Sequence, residues 1–349
     1  MSLDLPLIWA FILAIGVMMY VLLDGFDLGV GILTFFARSE DERSQMTSTI
    51  EPVWDGNETW LIIGGGGLFA AFPLAYAIIM PAFYLPVLLM LAALIFRGVA
   101  FEFRHKAVRS LTKKFWNGAF AGGSLAAAFS QGIMLGGMVQ GIRVEDGAFA
   151  GGSFDWLTPF TLLTGLSVVI GYVLLGACWL VLKTEGEIYA RARRWGVGAL
   201  AGVAAAFLLV SLATLSIDPA IGQRWGFSMT HVDLPTLLPL SPIPLFGMAL
   251  CAWLARDLLM DPGANAAPDW RPFLLAAGIF ISGYFGIGIS LYPFIVPYEV
   301  TISEAAAHDN ALGFMLVGAV IMLPIILAYT IYVYRLFWGK VRPGEGYHA

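Results

Sequence analysis

The segment Asp24-Gly-Phe-Asp27-Leu-Gly places two carboxyl groups deep inside the first long apolar run of the chain. A second polar segment, Trp54-Asp-Gly-Asn-Glu58, stands where the next apolar run begins. A charged side chain at membrane depth costs about 2.5 to 3.5 kcal/mol on insertion scales. Some function or partner must therefore use or satisfy these acids, and they are the first candidates for a functional site.

The composition around these segments is that of an integral membrane protein. Of 349 residues, 59% are hydrophobic and 12% are charged, and the mean hydropathy is +0.81. A soluble domain could not bury so much apolar surface. The cysteines, Cys178 and Cys251, lie inside apolar runs without CxxC spacing, which predicts buried, inert thiols.

The apolar runs predict about nine transmembrane helices, because a crossing needs about 20 residues. They cover residues 7–36, 58–79, 82–101, 118–140, 158–182, 196–216, 242–257, 272–292 and 311–338. We divide the apolar stretch 58–101 at Met80-Pro81, since one helix of that length would overshoot the bilayer. The predicted fold class is an all-α polytopic membrane protein with one integral membrane domain over residues 1–349.

Four predicted spans precede the loop 141–157 and four follow it. This arrangement permits two four-helix bundles, formed by residues 1–140 and 158–300, with a ninth helix, 311–338, at the periphery. The outer loops are too short for a separate soluble domain. We expect the first span to be retained rather than removed as a signal peptide.

The basic residues predict the orientation. Under this division only Arg143 and Arg224, of the 19 Lys and Arg residues, fall on one side. Cytoplasmic loops carry the excess of Lys and Arg, so the N-terminus is predicted outside and the C-terminus in the cytoplasm. The net charge of -5 is segregated by loop, and we expect no nucleic-acid partner.

Asp24 and Asp27 are three residues apart and would share one face of a helix. Two neighbouring acids couple their titrations, as a proton relay requires. Two structural alternatives stay open: the acids cap a local break around Gly25 and Gly29, or they pair with a buried arginine. The two glycines also form a GxxxG step that is typical of close helix packing.

The second polar segment has a structural alternative too, since Asp55-Gly-Asn-Glu58 is typical of a helix N-cap with an acid at N3. Its position favours function, because Arg97 and Glu102 are predicted at the same cytoplasmic level. Glu102 equally fits a solvated helix end. We predict a charged cytoplasmic mouth that leads inward. The candidates for this proton path are Asp24, Asp27, Trp54, Asp55, Glu58, Arg97 and Glu102.

The four histidines, His105, His231, His308 and His348, fall in predicted loops or in the C-terminal tail. None lies where an intramembrane haem or copper ligand would be needed. If the protein belongs to a redox complex, we expect its metal centres in another chain. No Walker motif, GxGxxG turn or HExxH motif indicates a nucleotide or zinc site.

Several segments resemble subunit II of the cytochrome bd quinol oxidases, and are most similar to the branch called cyanide-insensitive oxidases. These segments are 24–31, 54–57, 68–76, 96–104 and 292–297. The resemblance implies a nine-span subunit of the bacterial inner membrane that binds no haem and is catalytically silent alone. It also implies a similarly folded subunit I, which carries haems b and d, oxidises quinol and reduces oxygen to water.

The same resemblance implies a role for particular residues. Subunit II is thought to line a proton route from the cytoplasm, which on matching positions implicates Asp24, Asp27, Trp54 and Asp55. Small single-span accessory subunits, lipid and quinone are the further partners implied. Some relatives hold a structural quinone in this subunit, for which no pocket can be placed in the sequence.

Two other functions are compatible with the residues. Paired intramembrane acids and glycine-interrupted helices also occur in ion-coupled secondary transporters, where Asp24 and Asp27 would bind the ion. A pure assembly scaffold is the third hypothesis, and it predicts that both acids tolerate replacement by Asn.

Overall fold

The structure is a computed structural model that describes residues 4–227, 231–260 and 268–342, apart from the side chain of His105. It is an all-α membrane protein, as predicted. The elements up to residue 140 are α1 (Leu5–Leu33), a 3₁₀ turn (Thr34–Phe36), α2 (Glu40–Ser48), α3 (Trp54–Ala71), α4 (Pro73–Ala82), α5 (Tyr84–Lys106) and α6 (Ser110–Gln140). The later helices are α7 (Pro159–Lys183), α8 (Gly186–Ile217), α9 (Pro219–Arg224), α10 (Leu234–Leu240), α11 (Pro242–Leu259), α12 (Arg271–Leu291), α13 (Ile302–Ala305) and α14 (Asp309–Leu336).

Within the described residues, 8 helices are long and apolar enough to cross a membrane. They are α1 with its 3₁₀ turn, α5, α6, α7, α8, α11, α12 and α14, and they coincide with eight of the predicted spans. Two of them begin well before the apolar run: α6 starts at Ser110 and α8 at Gly186. Helical hydrogen bonding continues through polar residues that a hydropathy profile does not count.

The remaining predicted span, 58–79, is wrong as a single helix. α3 ends at Ala71 and α4 begins at Pro73, because a residue that precedes proline is disfavoured in the helical region. Phe72 accordingly has φ -134 and ψ 63. The predicted division at Met80-Pro81 is also displaced, since Pro81 lies inside α4 and the break comes at Phe83. α3 by itself is about 27 Å long, close to the thickness of the hydrocarbon core.

Helices α1 and α7 form the centre of the fold, and each packs against several others. α1 contacts α3, α6 and α7, while α7 also contacts α6, α8 and α12. α14 contacts α1 and α3 and leaves most of its surface exposed. The division of the chain into bundles 1–140 and 158–300 stays a prediction.

The close approach of α1 to α7 depends on glycine. A Cβ atom added at Gly29 would lie 1.8 Å from the carbonyl oxygen of Tyr172, and one at Gly176 would lie 2.4 Å from the carbonyl carbon of Gly29. The packing role predicted for this glycine step is therefore confirmed. On α7, the Cys178 thiol is buried as predicted, whereas Cys251 on α11 is only partly buried; both are free.

The outer loops contain two small antiparallel hairpins that were not predicted. β1 (Val144–Glu145) pairs with β2 (Ala148–Phe149), and β3 (Phe294–Val296) pairs with β4 (Val300–Thr301). The first hairpin turns through Asp146-Gly147, both at positive φ. An Asp-Gly pair is a strong sequence signal for such a turn.

Candidate functional site

Helix α1 carries Asp24 and Asp27 into the protein interior, where both side chains are fully buried. The helix is continuous through this region, so the acids do not cap a break at Gly25 or Gly29, and that alternative is wrong. A buried carboxylate needs a charge or hydrogen-bond partner. In this fold the partners come from other helices.

Arg97 on α5 lies between two acids. Its Nη1 donates to Oδ1 of Asp24 at 3.0 Å and to Oε1 of Glu58 at 2.6 Å. Arg97 and Asp24 are almost wholly buried, whereas the side chain of Glu58, on α3, is 26% exposed. The Trp54 ring lies 5.9 Å from the guanidinium carbon. The structural alternative in which the intramembrane acids pair with a buried arginine is thus confirmed for Asp24.

Asp27 is held by an amide rather than by the arginine. Asn57 on α3 donates through Nδ2 to Oδ2 of Asp27 at 2.7 Å. The Asn57 Oδ1 in turn accepts a hydrogen bond of 2.9 Å from the hydroxyl of Tyr334, on α14. Side chains of three helices, α1, α3 and α14, therefore form one line of hydrogen bonds that fixes Asp27.

A third group of polar side chains lies one turn away on α1. The hydroxyl of Tyr172 donates to Oε1 of Gln131 at 2.7 Å, and Nε2 of Gln131 donates to the hydroxyl of Tyr20 at 2.9 Å. Tyr20 precedes Asp24 by four residues, so both lie on the same face of the helix. Polar groups thus continue from Asp24 into the α6–α7 interface.

The Arg97 cluster, defined as Asp24, Asp27, Glu58 and Arg97, contains three carboxyl groups and one guanidinium. Burying three negative charges against one positive charge would be costly. Within the described residues, Oδ2 of Asp24, Oδ1 of Asp27, and Nε and Nη2 of Arg97 are buried without a hydrogen-bond partner. The cluster therefore has acceptor and donor positions to spare for protons or water.

Four of the predicted site residues come together in this cluster, and Trp54 lies against it. Asp55 and Glu102 lie at the protein surface; their part in the path stays a prediction. Glu102 is five positions after Arg97, which turns it about 140° around the helix. The predicted N-cap at Asp55 is wrong, because Val53 is the N-cap and Asp55 lies in the first turn of α3.

Besides Tyr20, which precedes Asp24 by four residues on α1, four residues of the polar network were not among the predicted site residues: Asn57, Gln131, Tyr172 and Tyr334. Asn57 belongs to the segment that drew attention to α3, and its helical spacing from Trp54 could have indicated a buried position. The other three lie on α6, α7 and α14, far from the motifs. No local pattern distinguishes them from residues that only pack.

A cavity of about 260 Å³ opens next to this network, on the basic side that is predicted to face the cytoplasm. Its lining includes Val53, Trp179, Lys183, Tyr334 and Lys340. Tyr334 thus borders the cavity and also reaches Asn57 in the interior. The segment after α14 closes one wall, because Lys183 Nζ donates to backbone carbonyls of that segment.

The histidines lie close to where they were predicted. His308 caps α14 by accepting from the backbone N–H of Asn310, and His231 lies outside the helices. His105 is in the last turn of α5 rather than in a loop, just beyond the apolar span that ends at Arg104. His348 lies outside the described residues. In the described part of the chain, no group of three or more His, Cys, Asp or Glu side chains could hold a metal ion.

Comparison with known proteins decides the family. The profile of the family Cytochrome bd terminal oxidase subunit II matches residues 5–337. The chain belongs to this family. It is 31% identical over 372 residues to cytochrome bd-I ubiquinol oxidase subunit 2 of Escherichia coli K12, covering 97% of this chain and 95% of the relative. It is 29% identical over 346 residues to cytochrome bd ubiquinol oxidase subunit 2 of Bacillus subtilis 168, covering 97% of each.

The fold of this bd oxidase subunit II is also that of a solved structure. The bd oxidase from Geobacillus thermodenitrificans matches with a TM-score of 0.75 at 16% identity, covering 96% of this chain and 99% of the other. The chain is a multi-pass membrane subunit of a quinol-oxidising terminal oxidase and works with a subunit I partner. The oxidase hypothesis is thereby favoured over the transporter.

Proposed function

We propose that this subunit II binds no haem and lines a proton path from the cytoplasm toward the oxygen-reducing site of subunit I, in the bacterial inner membrane. The haems b and d of the complex would be held by subunit I. The observation that carries the proposal is Arg97, which is buried and shared by Asp24 and Glu58. Asp27 lies one turn farther along α1, in its own hydrogen-bond chain.

The proposed path begins on α3. Asp55 lies at the surface in the first turn of the helix, and Glu58 follows three residues later with part of its side chain exposed. Arg97 links Glu58 to Asp24 through one guanidinium nitrogen. Because the cluster has more acids than bases, a proton that arrives at Glu58 finds acceptors at Asp24 and Asp27. Glu102 would add negative charge to the cytoplasmic mouth.

The other residues around the cluster have positioning roles in this proposal. Asn57 cannot gain or lose a proton at ordinary pH, but it fixes the Asp27 carboxyl group and the Tyr334 hydroxyl. Trp54 covers Arg97 and limits access of bulk water to it. A structural quinone and small accessory subunits remain compatible with the exposed apolar helices, and no residue in this chain is assigned to them.

Replacing each acid tests the path. In the purified complex, Asp24→Asn, Asp27→Asn and Glu58→Gln remove one proton-binding group each with little change in volume. If proton delivery then limits turnover, oxygen reduction with quinol should fall by about 100-fold or more. Proton uptake from the inner side of vesicles should fall with it. The matched control is Asp41→Asn, an exposed acid on α2.

Two outcomes would contradict the proposal. Unchanged turnover and proton uptake in all three variants would remove these acids from the path and favour the assembly scaffold. Loss of turnover together with loss of the haem absorption bands would show that the acids support assembly rather than proton transfer. The haem-free assignment has its own test, since subunit II separated from the complex should show no haem absorption.

A further inference from the structure

A second concave site lies at the cytoplasmic ends of α1 and α8, away from the Arg97 cluster. Its volume is about 400 Å³, and it is lined by Phe36, Arg38, Arg191, Arg194 and Trp195. Three arginines and two aromatic rings at one small site are unusual in a chain with only 12% charged residues. Neither the proton path nor the close α1–α7 contact uses these side chains.

The site lies at a boundary between apolar and charged sequence on two separate elements. The apolar run of the first span ends at Phe36, and Arg38 follows. On α8 the order is reversed, because Arg194 ends a charged segment and the apolar run starts after Trp195. Such a boundary marks the level of lipid headgroups, where aromatic and basic side chains collect.

The Arg191 side chain is fully engaged in contacts within the protein. Its guanidinium donates to Glu42 and to the backbone carbonyl of Phe36, and it lies 4.6 Å from the centroid of the Trp195 ring. These contacts hold α2 and α8 together and place the ring in the wall of the site. Arg191 therefore builds the site and has little capacity left for a ligand.

The other two arginines are available. Arg38 has one ion pair, to Glu187 at 3.9 Å, and these side chains are 68% and 87% exposed. An exposed pair at that distance contributes little. Arg194 is exposed, and among the residues that the structure describes its side chain has no ion pair or hydrogen bond. Its neighbour Arg193 differs, since it donates to backbone carbonyls at the end of α11.

We propose that this site binds the phosphate group of an anionic phospholipid of the cytoplasmic leaflet. Arg38 and Arg194 would hold the phosphate, because a guanidinium can donate two parallel hydrogen bonds to it. Basic sites between transmembrane helices on the cytoplasmic side bind such headgroups. Phe36, with 58% of its surface exposed, and Trp195 offer apolar contact to the glycerol and acyl chains, which a soluble phosphate lacks.

The test measures lipid binding to the purified oxidase complex by native mass spectrometry. Phosphatidylglycerol is added to the unmodified complex and to the double variant Arg38→Gln with Arg194→Gln. Each arginine near the headgroups contributes about fivefold to affinity, so the double variant should bind roughly 25-fold more weakly. Phosphatidylcholine has the same phosphate but also a balancing ammonium charge, so its affinity should differ less between the two complexes. Haem absorption and subunit composition should be the same in both.

The matched control is Arg109→Gln, an exposed arginine on the same side of the protein, before α6. An equal loss in this control would mean diffuse surface attraction and would overturn the specific site. Displacement of the lipid by inorganic phosphate alone would assign the site to a soluble anion instead. If the double variant fails to assemble, Arg194→Gln by itself decides, because that side chain makes no bond within the described chain; unchanged lipid affinity would refute the proposal.

Discussion

Replacement of Arg97 by Gln tests how much the arginine stabilises the buried cluster. The change removes the guanidinium whose Nη1 bonds Asp24 at 3.0 Å and Glu58 at 2.6 Å. Asp24 is fully buried and would lose its cation, whereas Glu58 is 26% exposed and can turn toward water. Most of the expected destabilisation therefore comes from Asp24.

The magnitude follows from the burial of the pair. Removing one partner of a buried ion pair costs about 3 to 5 kcal/mol, because it leaves an uncompensated charge. The exposed part of Glu58 adds at most about 1 kcal/mol. Adding Asp24→Asn to the Arg97→Gln variant removes the uncompensated charge, so roughly 1 to 3 kcal/mol should be recovered as coupling energy.

The assay is the half-life of the detergent-solubilised complex at one elevated temperature, followed by haem absorption and tryptophan fluorescence. Large membrane complexes denature irreversibly, so their measured stability is a rate. A loss of about 3 kcal/mol would shorten the half-life by up to roughly a hundredfold. Arg335→Gln, at an exposed arginine in the last turn of α14, is the control. The reasoning is refuted if Arg97→Gln resembles this control, or if Asp24→Asn restores nothing.

Three further predictions address the surroundings of the site. Tyr334→Phe leaves the buried Oδ1 of Asn57 without its donor and should destabilise the complex by about 1 to 3 kcal/mol, measured as the same half-life. Gly29→Ala should prevent α1 from reaching α7, because the added Cβ would lie 1.8 Å from a carbonyl oxygen; assembled complex recovered from membranes should fall sharply. In the outer loop, hydrogen bonds from the Thr301 hydroxyl and backbone lower the pKa of Glu304, so the capping contact should be lost as pH falls through that lowered pKa, with faster amide exchange at Thr301 after correction for intrinsic rates.

Each of these predictions has a matched comparison. Tyr332→Phe changes an exposed ring on the same helix as Tyr334 and should have no effect. Gly118→Ala places a methyl group where no atom lies within 4 Å and should assemble normally. Glu304→Gln keeps an amide oxygen that can accept from the Thr301 N–H but has no carboxylate to protonate, so its corrected exchange at Thr301 should not change with pH; equal pH dependence in this variant and in the unmodified protein would contradict the linkage.

Much of the fold could be predicted because hydropathy and loop charge are properties of short segments. Eight apolar runs correspond to helices of the structure, and the basic residues predict an orientation without knowledge of packing. The prediction was wrong where local backbone chemistry intervened. Pro73 interrupts an apolar run that hydropathy treats as one span. Helix α8 begins ten residues before its apolar run, because the polar residues there also adopt helical structure.

The chemical nature of the site was also readable in the chain, because acids at membrane depth stand out against an apolar background. Asp24 and Asp27 could be selected on that ground, and Glu58 and Arg97 could be selected because they were predicted at one cytoplasmic level. Which of these side chains pair with each other could not be predicted from the sequence. Asn57 and Tyr334 were not predicted as site residues, because an amide and a tyrosine in apolar helices resemble ordinary packing residues.

The sequence by itself determined that this is a membrane subunit of the bd oxidase family, with two intramembrane acids on one helix face. The tertiary structure decided which partners those acids have: Asp24 meets an arginine 73 positions away and Asp27 meets an amide 30 positions away. The same amide accepts from Tyr334, 277 positions farther along the chain. Helix rotation and crossing, which depend on contacts such as Gly29 against Tyr172, set these partners, and no local pattern encodes them.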